Sequence, residues 1–129
     1  MASKKEKGDF GESAVCDYLA ERGYTIKARN YRRRCGEIDI VAEKTGHTAF
    51  VEVKTRKFGS MVTGIEAVDR KKQIKIIKTA DLFINEYGCE RNTTFDVAEV
   101  VITGDEIPQI IEICYYNDAF DATGVYTFN

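Results

Sequence analysis

The sequence predicts a single mixed α/β domain, in the order helix, three strands, helix and two strands. Apolar residues recur at helical spacing in residues 8–22 and 66–87, and a glycine follows each segment. Other runs have the length and apolar pattern of strands, such as residues 24–31 and 94–102. The whole chain of 129 residues can bury a core of its own, which we expect over about residues 8–120.

The first helix is predicted over residues 8–22 and ends at Gly23, a residue suited to the left-handed conformation of a helix C-terminus. Glu12 falls on the same face as Val15 and Leu19, because these positions are three and seven residues apart. A carboxylate on an apolar face is costly unless it is paired, protonated or bound to a metal ion. Glu12 is therefore a candidate functional residue.

A strand over residues 24–31 and a basic connection, "RRRCG", lead into a hairpin over roughly residues 36–55. The turn of the hairpin is centred on Thr45 and Gly46, where glycine allows the positive φ that tight turns require. A two-residue turn at this position fixes the register, so that the numbers of paired residues add to 91.

Four charged side chains lie inside this hairpin. The register sets Asp39 opposite Glu52, and Glu37 opposite Lys54. Opposed like charges destabilise a sheet, and a hard cation such as Mg²⁺ or Mn²⁺ would compensate them. Lys54 would then reach a phosphate oxygen or a water molecule. The simpler alternative is that these residues are solvated on an outer face, with Glu37 and Lys54 as an ordinary surface ion pair.

The second helix, predicted over residues 66–87, carries Gln73 as the polar residue on its apolar face. Gln73 is therefore a candidate to flank the site at Asp39 and Glu52 on one side, as Glu12 is on the other. Two more strands are predicted over residues 94–102 and 109–116, separated by a turn that contains the one proline.

Composition argues against several classes of protein. The net charge is −2, 43% of the residues are hydrophobic, and no apolar run approaches the roughly 18 residues of a membrane span. The basic start is followed by no apolar segment, so it does not resemble a secretory signal, and we expect a cytoplasmic protein without membrane contact. The four cysteines form no C-x-x-C pair, which argues against a zinc ribbon or a dithiol redox site.

Charge is distributed unevenly along the chain. Residues 1–78 contain 18 Lys and Arg against 11 Asp and Glu, a net of +7, whereas residues 79–129 contain 1 against 10, a net of −9. A basic run is usually a solvated face, but these runs flank the acids, as a site that binds phosphates would require. The candidate nucleic-acid-binding residues are Arg32, Arg33, Arg34, Arg56, Lys57, Lys72 and Lys75.

The acids and lysine of the hairpin resemble the PD-(D/E)xK signature of the restriction-endonuclease-like superfamily. The segments "GDFGESAVCDYLAERGYTIKARNYRRRCGEIDIVA", "FVEVKTR", "EAVDRKKQIKIIKTA", "FDVAEVV" and "DAF" more closely resemble the UPF0102 (YraN-like) family of small bacterial proteins, predicted to be endonucleases. The order of elements and acids is also similar to that of archaeal Holliday-junction resolvases. The proline usual before the first acid is replaced by Ile38.

The resemblance implies an αβββαβ core with a mixed central sheet flanked by helices. It implies that Asp39 and Glu52 bind metal, with the backbone carbonyl of Val53 as a further ligand, and that Lys54 is the catalytic lysine. Glu12 matches the first-helix glutamate of the resolvase-like branch. Gln73 matches the Gln/Lys position of the second helix.

Together these features predict a Mg²⁺- or Mn²⁺-dependent endonuclease that hydrolyses DNA without reading its sequence, in DNA repair or recombination. DNA is the predicted partner, branched or single-stranded forms included, and the likeness to junction resolvases implies a homodimer. Two alternatives stay open at this point. One is a nuclease-derived module that binds nucleic acid without turnover, and the other is a nuclease that acts on RNA.

Overall fold

The structure is a computed structural model that describes residues 3–60 and 67–126. It confirms the mixed α/β class and the predicted order of elements. No helix in the described part of the chain is long and apolar enough to cross a membrane. The helices are α1 (Lys4–Glu21) and α2 (Arg70–Tyr87), and the strands are β1 (Thr25–Arg33), β2 (Gly36–Lys44), β3 (His47–Lys57), β4 (Asn92–Ile102) and β5 (Ile110–Phe120).

The five strands form one sheet in the order β1-β2-β3-β4-β5. β3 and β4 are parallel, and the other three neighbouring pairs are antiparallel. Parallel neighbours need a crossover connection, and α2 lies in the connection between β3 and β4. Val15 and Leu19 of α1 belong to one buried cluster, whereas Ile76 and Phe83 of α2 belong to another. The sheet is therefore the middle layer between two helices.

The helices begin at capping residues that the apolar pattern did not reveal. α1 begins before residue 8 because Ser3 and Glu6 form a capping box, in which the Glu6 N–H donates to the Ser3 hydroxyl oxygen at 3.1 Å. α2 is capped by Asp69, whose carboxylate accepts the Lys72 N–H at 2.9 Å. The predicted start of this helix, at Glu66, lies outside the described residues.

The basic segment "RRRCG" is mostly strand rather than a connection. β1 continues to Arg33 and β2 begins at Gly36, so only Arg34 and Cys35 join the two strands. The strand extends because Arg32 and Arg33 stay paired with Glu37 and Gly36 of β2. The guanidinium of Arg33 lies over the ring of Tyr31 and contacts Glu86 of α2.

β5 also extends further than the sequence predicted, to Phe120. Asp96 on β4 is fully buried, and its carboxylate accepts hydrogen bonds from the Tyr115 hydroxyl and from the Asp118 N–H, the latter at 2.9 Å. Asp118 has a positive φ of 54°, at an irregularity that would otherwise break the strand. The buried carboxylate therefore supports a bulged strand end with no clear sequence period.

Helix α1 lies so close to β3 that one position tolerates no side chain. A Cβ atom added at Gly11 would lie 2.0 Å from the Thr55 hydroxyl oxygen, whereas one added at Gly8 would meet nothing within 4 Å. We expect Gly11→Ala to lower the free energy of unfolding by about 1–3 kcal/mol, because α1 must move off the sheet. Urea denaturation monitored by circular dichroism measures this change.

Gly8→Ala provides the matched control for this prediction. It makes the same substitution on the same helix in open space, so we expect a gain of about 0.5–1 kcal/mol from helix propensity. Equal losses in the two variants would contradict the proposed close approach of α1 to β3.

Candidate active site

The register predicted for the hairpin is confirmed from its turn as far as Ile40 and Val51. β2 and β3 pair from Lys44 with His47 through Ile40 with Val51, and the numbers of each pair add to 91. Regular pairing stops at the next position, where the Asp39 carboxylate accepts the Val53 N–H at 2.8 Å. The Glu52 carboxyl group is hydrogen-bonded to that of Asp39 beyond the end of this regular pairing, so the two groups are in direct contact.

The sheet is irregular at Asp39. Residues 38 and 40 of a regular strand would share a face, but Ile38 packs in the cluster beside α2 and Ile40 in the cluster beside α1. Asn30, which the β1–β2 register places opposite Asp39, has a left-handed φ of 52°. Such irregularities often re-aim a side chain beside a functional site. Asp39 can therefore meet acids from both faces of the sheet.

Glu52 is an acid in a position that strongly disfavours its charge. Its exposed fraction is 6%, and burial together with the adjacent Asp39 raises its pKa to about 9. The metal-free protein therefore holds a proton on this carboxyl group at neutral pH. Two contacting carboxyl groups that cannot both ionise need either a shared proton or a cation.

Two lysines face this pair of acids. Lys72 Nζ lies 3.7 Å from Glu52 Oε2, so the first turn of α2 reaches across to β3. Lys54 is half-buried, and burial together with the neighbouring Lys72 ammonium lowers its pKa. The acids Asp39 and Glu52 and the two lysines thus form one compact group of four ionisable side chains, which we call the quartet.

Glu12 reaches the same site from α1. Its side chain is 13% exposed, and its carboxylate lies 3.8 Å from Arg29 Nη2. It also accepts from the Asn30 amide at 3.1 Å when that amide is oriented with its nitrogen toward the acids, the orientation that satisfies both of its polar atoms. Burial and the nearby charge of Asp39 raise its pKa. Glu12 and Asp39 line a shared cleft of about 690 Å³, together with Lys5, Gly8, Asp9, Arg29, Asn30, Arg32 and Glu37.

Two predicted partners of the acids are engaged elsewhere. The Gln73 amide donates to the Val68 carbonyl oxygen at 2.9 Å and accepts from Arg70 at 3.1 Å, so its described contacts lie at the start of α2. Lys72, one residue earlier, makes the described contact with Glu52 instead. Glu37 pairs with Arg32 at 3.2 Å rather than with Lys54.

The donor set suits a hard divalent ion without forming a complete cage. Within residues 3–60 and 67–126, no three His, Cys, Asp or Glu side chains form a ready metal-binding group. Mg²⁺ is commonly held by one or two carboxylates, with water and substrate oxygens completing its shell. Asp39 and Glu52 fit that arrangement because their contact already requires a proton or cation. The Val53 carbonyl oxygen and the Glu12 carboxylate remain predicted metal ligands.

Some of the predicted nucleic-acid-binding residues share one exposed surface. Arg32, Arg34 and Lys75 are exposed and line a shallow depression of about 350 Å³ beside the Arg34–Cys35 connection. Lys57 is exposed at the end of β3, where it lines a second depression with Lys4 and Lys7 of α1. Both surfaces border elements that carry the quartet.

Two other arginines of the predicted set are paired with acids, Arg33 at the surface and Arg56 with a buried glutamate. Arg33 forms a two-point contact with Glu86, at 3.0 and 2.9 Å, and so joins β1 to α2. Arg56 lies 3.3 Å from Glu99, whose exposed fraction is 2%. Contacts of this kind hold the fold together and restrict how far either guanidinium can turn to an outside phosphate.

The sequence did not reveal how Lys72 and Asn30 relate to the acids. Lys72 was predicted only to bind nucleic acid, although a capping Asp69 three residues before it would have placed it on the first turn of α2. Asn30 gives no signal, because its left-handed backbone is set by the strand pairing around it.

The fold and the site define the class of protein. A five-stranded mixed sheet between two helices, with the acid–lysine quartet on β2, β3 and α2, is compatible with a restriction-endonuclease-like core. The model of a family described as uncharacterised protein family UPF0102 matches residues 11–100. The chain belongs to this family, as the sequence predicted.

Curated relatives match nearly the whole chain. A UPF0102 protein of Alkaliphilus metalliredigens is 40% identical over 117 residues, which cover 90% of this chain and 98% of the relative. One from Caldicellulosiruptor bescii is 40% identical over 118 residues, with the same coverage of each chain. A third, from Clostridium acetobutylicum, is 37% identical and covers 91% of this chain and 88% of the relative.

Proposed function

We propose that this protein is a Mg²⁺- or Mn²⁺-dependent endonuclease that hydrolyses phosphodiester bonds of DNA. The observation that carries the proposal is the direct contact of Asp39 with the buried Glu52, faced by Lys54 and Lys72. Two acids that need a cation, next to two ammonium groups that attract a phosphate, are the parts that phosphodiester hydrolysis requires.

The acids and the lysines of the quartet have different roles. Asp39 and Glu52 hold the divalent ion, and the Val53 N–H fixes one oxygen of Asp39 so that the carboxylate keeps its direction. A bound Mg²⁺ or Mn²⁺ supplies charge stabilisation at the phosphate and lowers the pKa of its water. Lys54 orients the attacking water or binds the phosphate oxygen on which charge develops, and Lys72 adds a second positive charge beside it.

Glu12 serves the site from the other face of the sheet. Because burial and Asp39 raise its pKa, it can take up a proton or, when a cation approaches, release one. Asn30 and Arg29 hold the carboxylate in place. We assign to Glu12 the positioning of a water or of a second divalent ion, and to Gln73 the support of the first turn of α2.

DNA would approach over the exposed basic residues. Arg32, Arg34 and Lys75 line one depression beside the Arg34–Cys35 connection, and Lys57 lies at the end of the strand that carries Lys54. The backbone of nucleic acid supplies phosphates without sequence information, so these contacts favour binding by shape or by charge. Such a role fits DNA repair or recombination, where branched or single-stranded DNA is cut.

A cleavage assay tests the proposal directly. Purified protein is incubated with Mg²⁺ or Mn²⁺ and with labelled duplex, single-stranded and branched DNA, and with RNA of matched sequence. We expect DNA cleavage that requires the metal and falls by at least about 100-fold in Lys54→Met. Metal-independent binding with no cleavage by the wild type would favour the non-catalytic module, and cleavage of RNA alone would favour an RNA nuclease.

Nucleic-acid affinity is expected to depend strongly on salt. Replacing Arg32, Arg34 and Lys75 together by Ala should reduce the slope of log K against log salt by about 2–3, because each exposed cation neutralises about one phosphate. Filter binding or fluorescence anisotropy between about 50 and 200 mM salt measures the slope.

Arg91→Ala is the matched control for this triple variant. Arg91 is also exposed, but it lies in the connection between α2 and β4 and does not line the depression that Arg32, Arg34 and Lys75 share. An equal change of slope in the control and in the triple variant would contradict the assigned binding surface.

A further inference from the structure

A second concave surface lies at the other end of α1. It encloses about 520 Å³ and is lined chiefly by Tyr18, Arg22, Tyr24, Lys44, His47 and Tyr115. The helix and strand spacings separate it from the acids. Tyr18 lies six residues after Glu12 on α1, about 9 Å along the helix, and His47 lies five residues before Glu52 on β3, about 17 Å along the strand. None of these side chains belongs to the quartet.

Cations lie over the aromatic rings in this pocket. The guanidinium of Arg22 lies 3.4 Å from the centre of the Tyr18 ring, which is itself stacked on Tyr115 at 5.4 Å. Lys44 Nζ lies 4.5 Å from the centre of the Tyr24 ring. His47 meets the edge of the same ring at 5.8 Å. Flat surfaces and positive charges therefore alternate around one cavity.

The pocket lining contains no acidic residue, although the chain has 21 Asp and Glu. The neighbouring Asp96 is fully buried, and its carboxylate is already hydrogen-bonded to the Tyr115 hydroxyl and the Asp118 N–H. Arg22 and Lys44 consequently line a cavity to which no carboxylate contributes. An anion in the cavity would meet two cations, with the nearest described acid, Asp96, buried behind the tyrosines and hydrogen-bonded there.

Isolated cation–π pairs are common surface features and need no ligand. A chance surface pair does not account for this pocket, which combines three tyrosines, two cations and a concavity large enough to hold a small molecule. Nucleic-acid bases stack on tyrosine rings and on guanidinium planes, and phosphates pair with Arg and Lys. A planar base joined to a phosphate matches both kinds of surface at once.

We propose that this pocket binds a nucleoside phosphate. The base lies against the Tyr24 ring and the guanidinium plane of Arg22, and Lys44 and Arg22 bind the phosphate. The same chemistry is found in a free nucleotide and in an unpaired nucleotide of a single strand. The inference goes beyond the proposed function, because it needs none of the metal-binding acids.

Binding can be measured on the full chain by NMR titration. The probes are a nucleoside monophosphate, the corresponding nucleoside without phosphate, ribose 5-phosphate without base, and short single-stranded oligonucleotides. We expect saturable shifts of the signals of His47 and Tyr24 with the monophosphate, and at least about tenfold weaker binding of the two fragments. If affinity is the same for the monophosphate and for oligonucleotides of every length, the ligand of the pocket is a free nucleotide. If affinity rises with the length of the oligonucleotide, the ligand is a single strand.

Substitutions locate the site. Arg22→Ala and Lys44→Ala should each weaken binding of the monophosphate about three- to tenfold, and Tyr24→Leu, which keeps the apolar packing, should weaken it to a similar extent. Lys78→Ala removes an exposed lysine on α2, across the sheet, and should change nothing. Wild-type affinity in all three pocket variants, or equal binding of ribose 5-phosphate and the monophosphate, would overturn the proposal.

The outcome is separable from that of the nuclease proposal. Asp39→Asn should bind the monophosphate as the wild type does, because Asp39 does not line the pocket. Nucleotide binding without cleavage would leave this inference standing and remove the nuclease, whereas cleavage without nucleotide binding would do the reverse.

Discussion

Asp39→Ala protein is expected to cleave DNA at least about 1000-fold more slowly than the wild type and to lose most of its affinity for Mn²⁺. Asp39 supplies one of the two contacting carboxyl groups and is the one whose direction is fixed by the Val53 N–H, at 2.8 Å. Without it, the contacting pair of carboxyl groups is lost, and Glu52 is left beside the Lys72 ammonium group, which competes with a divalent ion. Single-turnover cleavage and calorimetric Mn²⁺ titration measure the two losses.

Two further variants separate this effect from misfolding. Asp39→Asn keeps the shape of the side chain and an oxygen that can accept the Val53 N–H, but it removes the negative charge. We expect it to fold as the wild type and to be as inactive as Asp39→Ala. Asp105→Ala, which removes an exposed carboxylate between β4 and β5, should retain full activity. Metal-dependent cleavage by Asp39→Asn at the wild-type rate would refute the assigned role of Asp39.

The stability of the metal-free protein is expected to fall as pH rises, because of Glu52. Its pKa is about 9 in the folded protein and near the ordinary value of 4.5 in the unfolded chain. Between these values the folded state holds a proton that the unfolded state releases, so the free energy of unfolding decreases with pH. The stabilisation is fully present below about pH 4.5 and is lost as pH rises through about 9.

The size of this effect can be estimated and tested. One pKa unit corresponds to about 1.4 kcal/mol. Lys72 and Lys54 offset part of the charge, and we expect a loss on the order of 2–4 kcal/mol between about pH 5 and pH 9. Glu52→Gln, which cannot ionise, should flatten this dependence and be more stable than the wild type at about pH 9. Urea denaturation with a metal chelator present measures the curves.

The test of Glu52 needs a control variant and a measurement with added Mn²⁺. Glu21→Gln removes an exposed carboxylate at the end of α1 and should keep the pH dependence of the wild type. Added Mn²⁺ should stabilise the wild type increasingly as pH rises, because the ion displaces the proton of Glu52. Parallel curves for the wild type and Glu52→Gln would show that Glu52 is not the group that titrates.

Several features of this protein follow from sequence alone, because each depends on local geometry. The turn at Thr45 and Gly46 sets the register of the β2–β3 hairpin residue by residue. Continued one step past Ile40 and Val51, where regular pairing ends, that register set Asp39 opposite Glu52, and the two carboxyl groups are in contact. Continued further, it set Glu37 opposite Lys54, but Glu37 pairs with Arg32. The alternation of helical and strand-like patterns likewise predicted the order of all seven elements. Family membership followed from the matching segments along the chain.

Other features were decided only by tertiary structure. Lys72 reaches Glu52 because α2 crosses from β3 to β4 over one face of the sheet, and no local pattern fixes how a helix is rotated on a sheet. The same rotation leaves Gln73 bound to Val68 and Arg70 instead of beside the acids.

The roles of the basic residues were also settled by contacts between distant segments. Arg33 is bound to Glu86, 53 positions away, and Arg56 to the buried Glu99, so some of the predicted basic residues are engaged in ion pairs between distant segments. The pocket near Tyr18 likewise could not be predicted from local sequence, because its rings come from α1, the connection after α1, β3 and β5. Sequence spacing predicts what lies on one element, but the packing of elements decides which side chains meet.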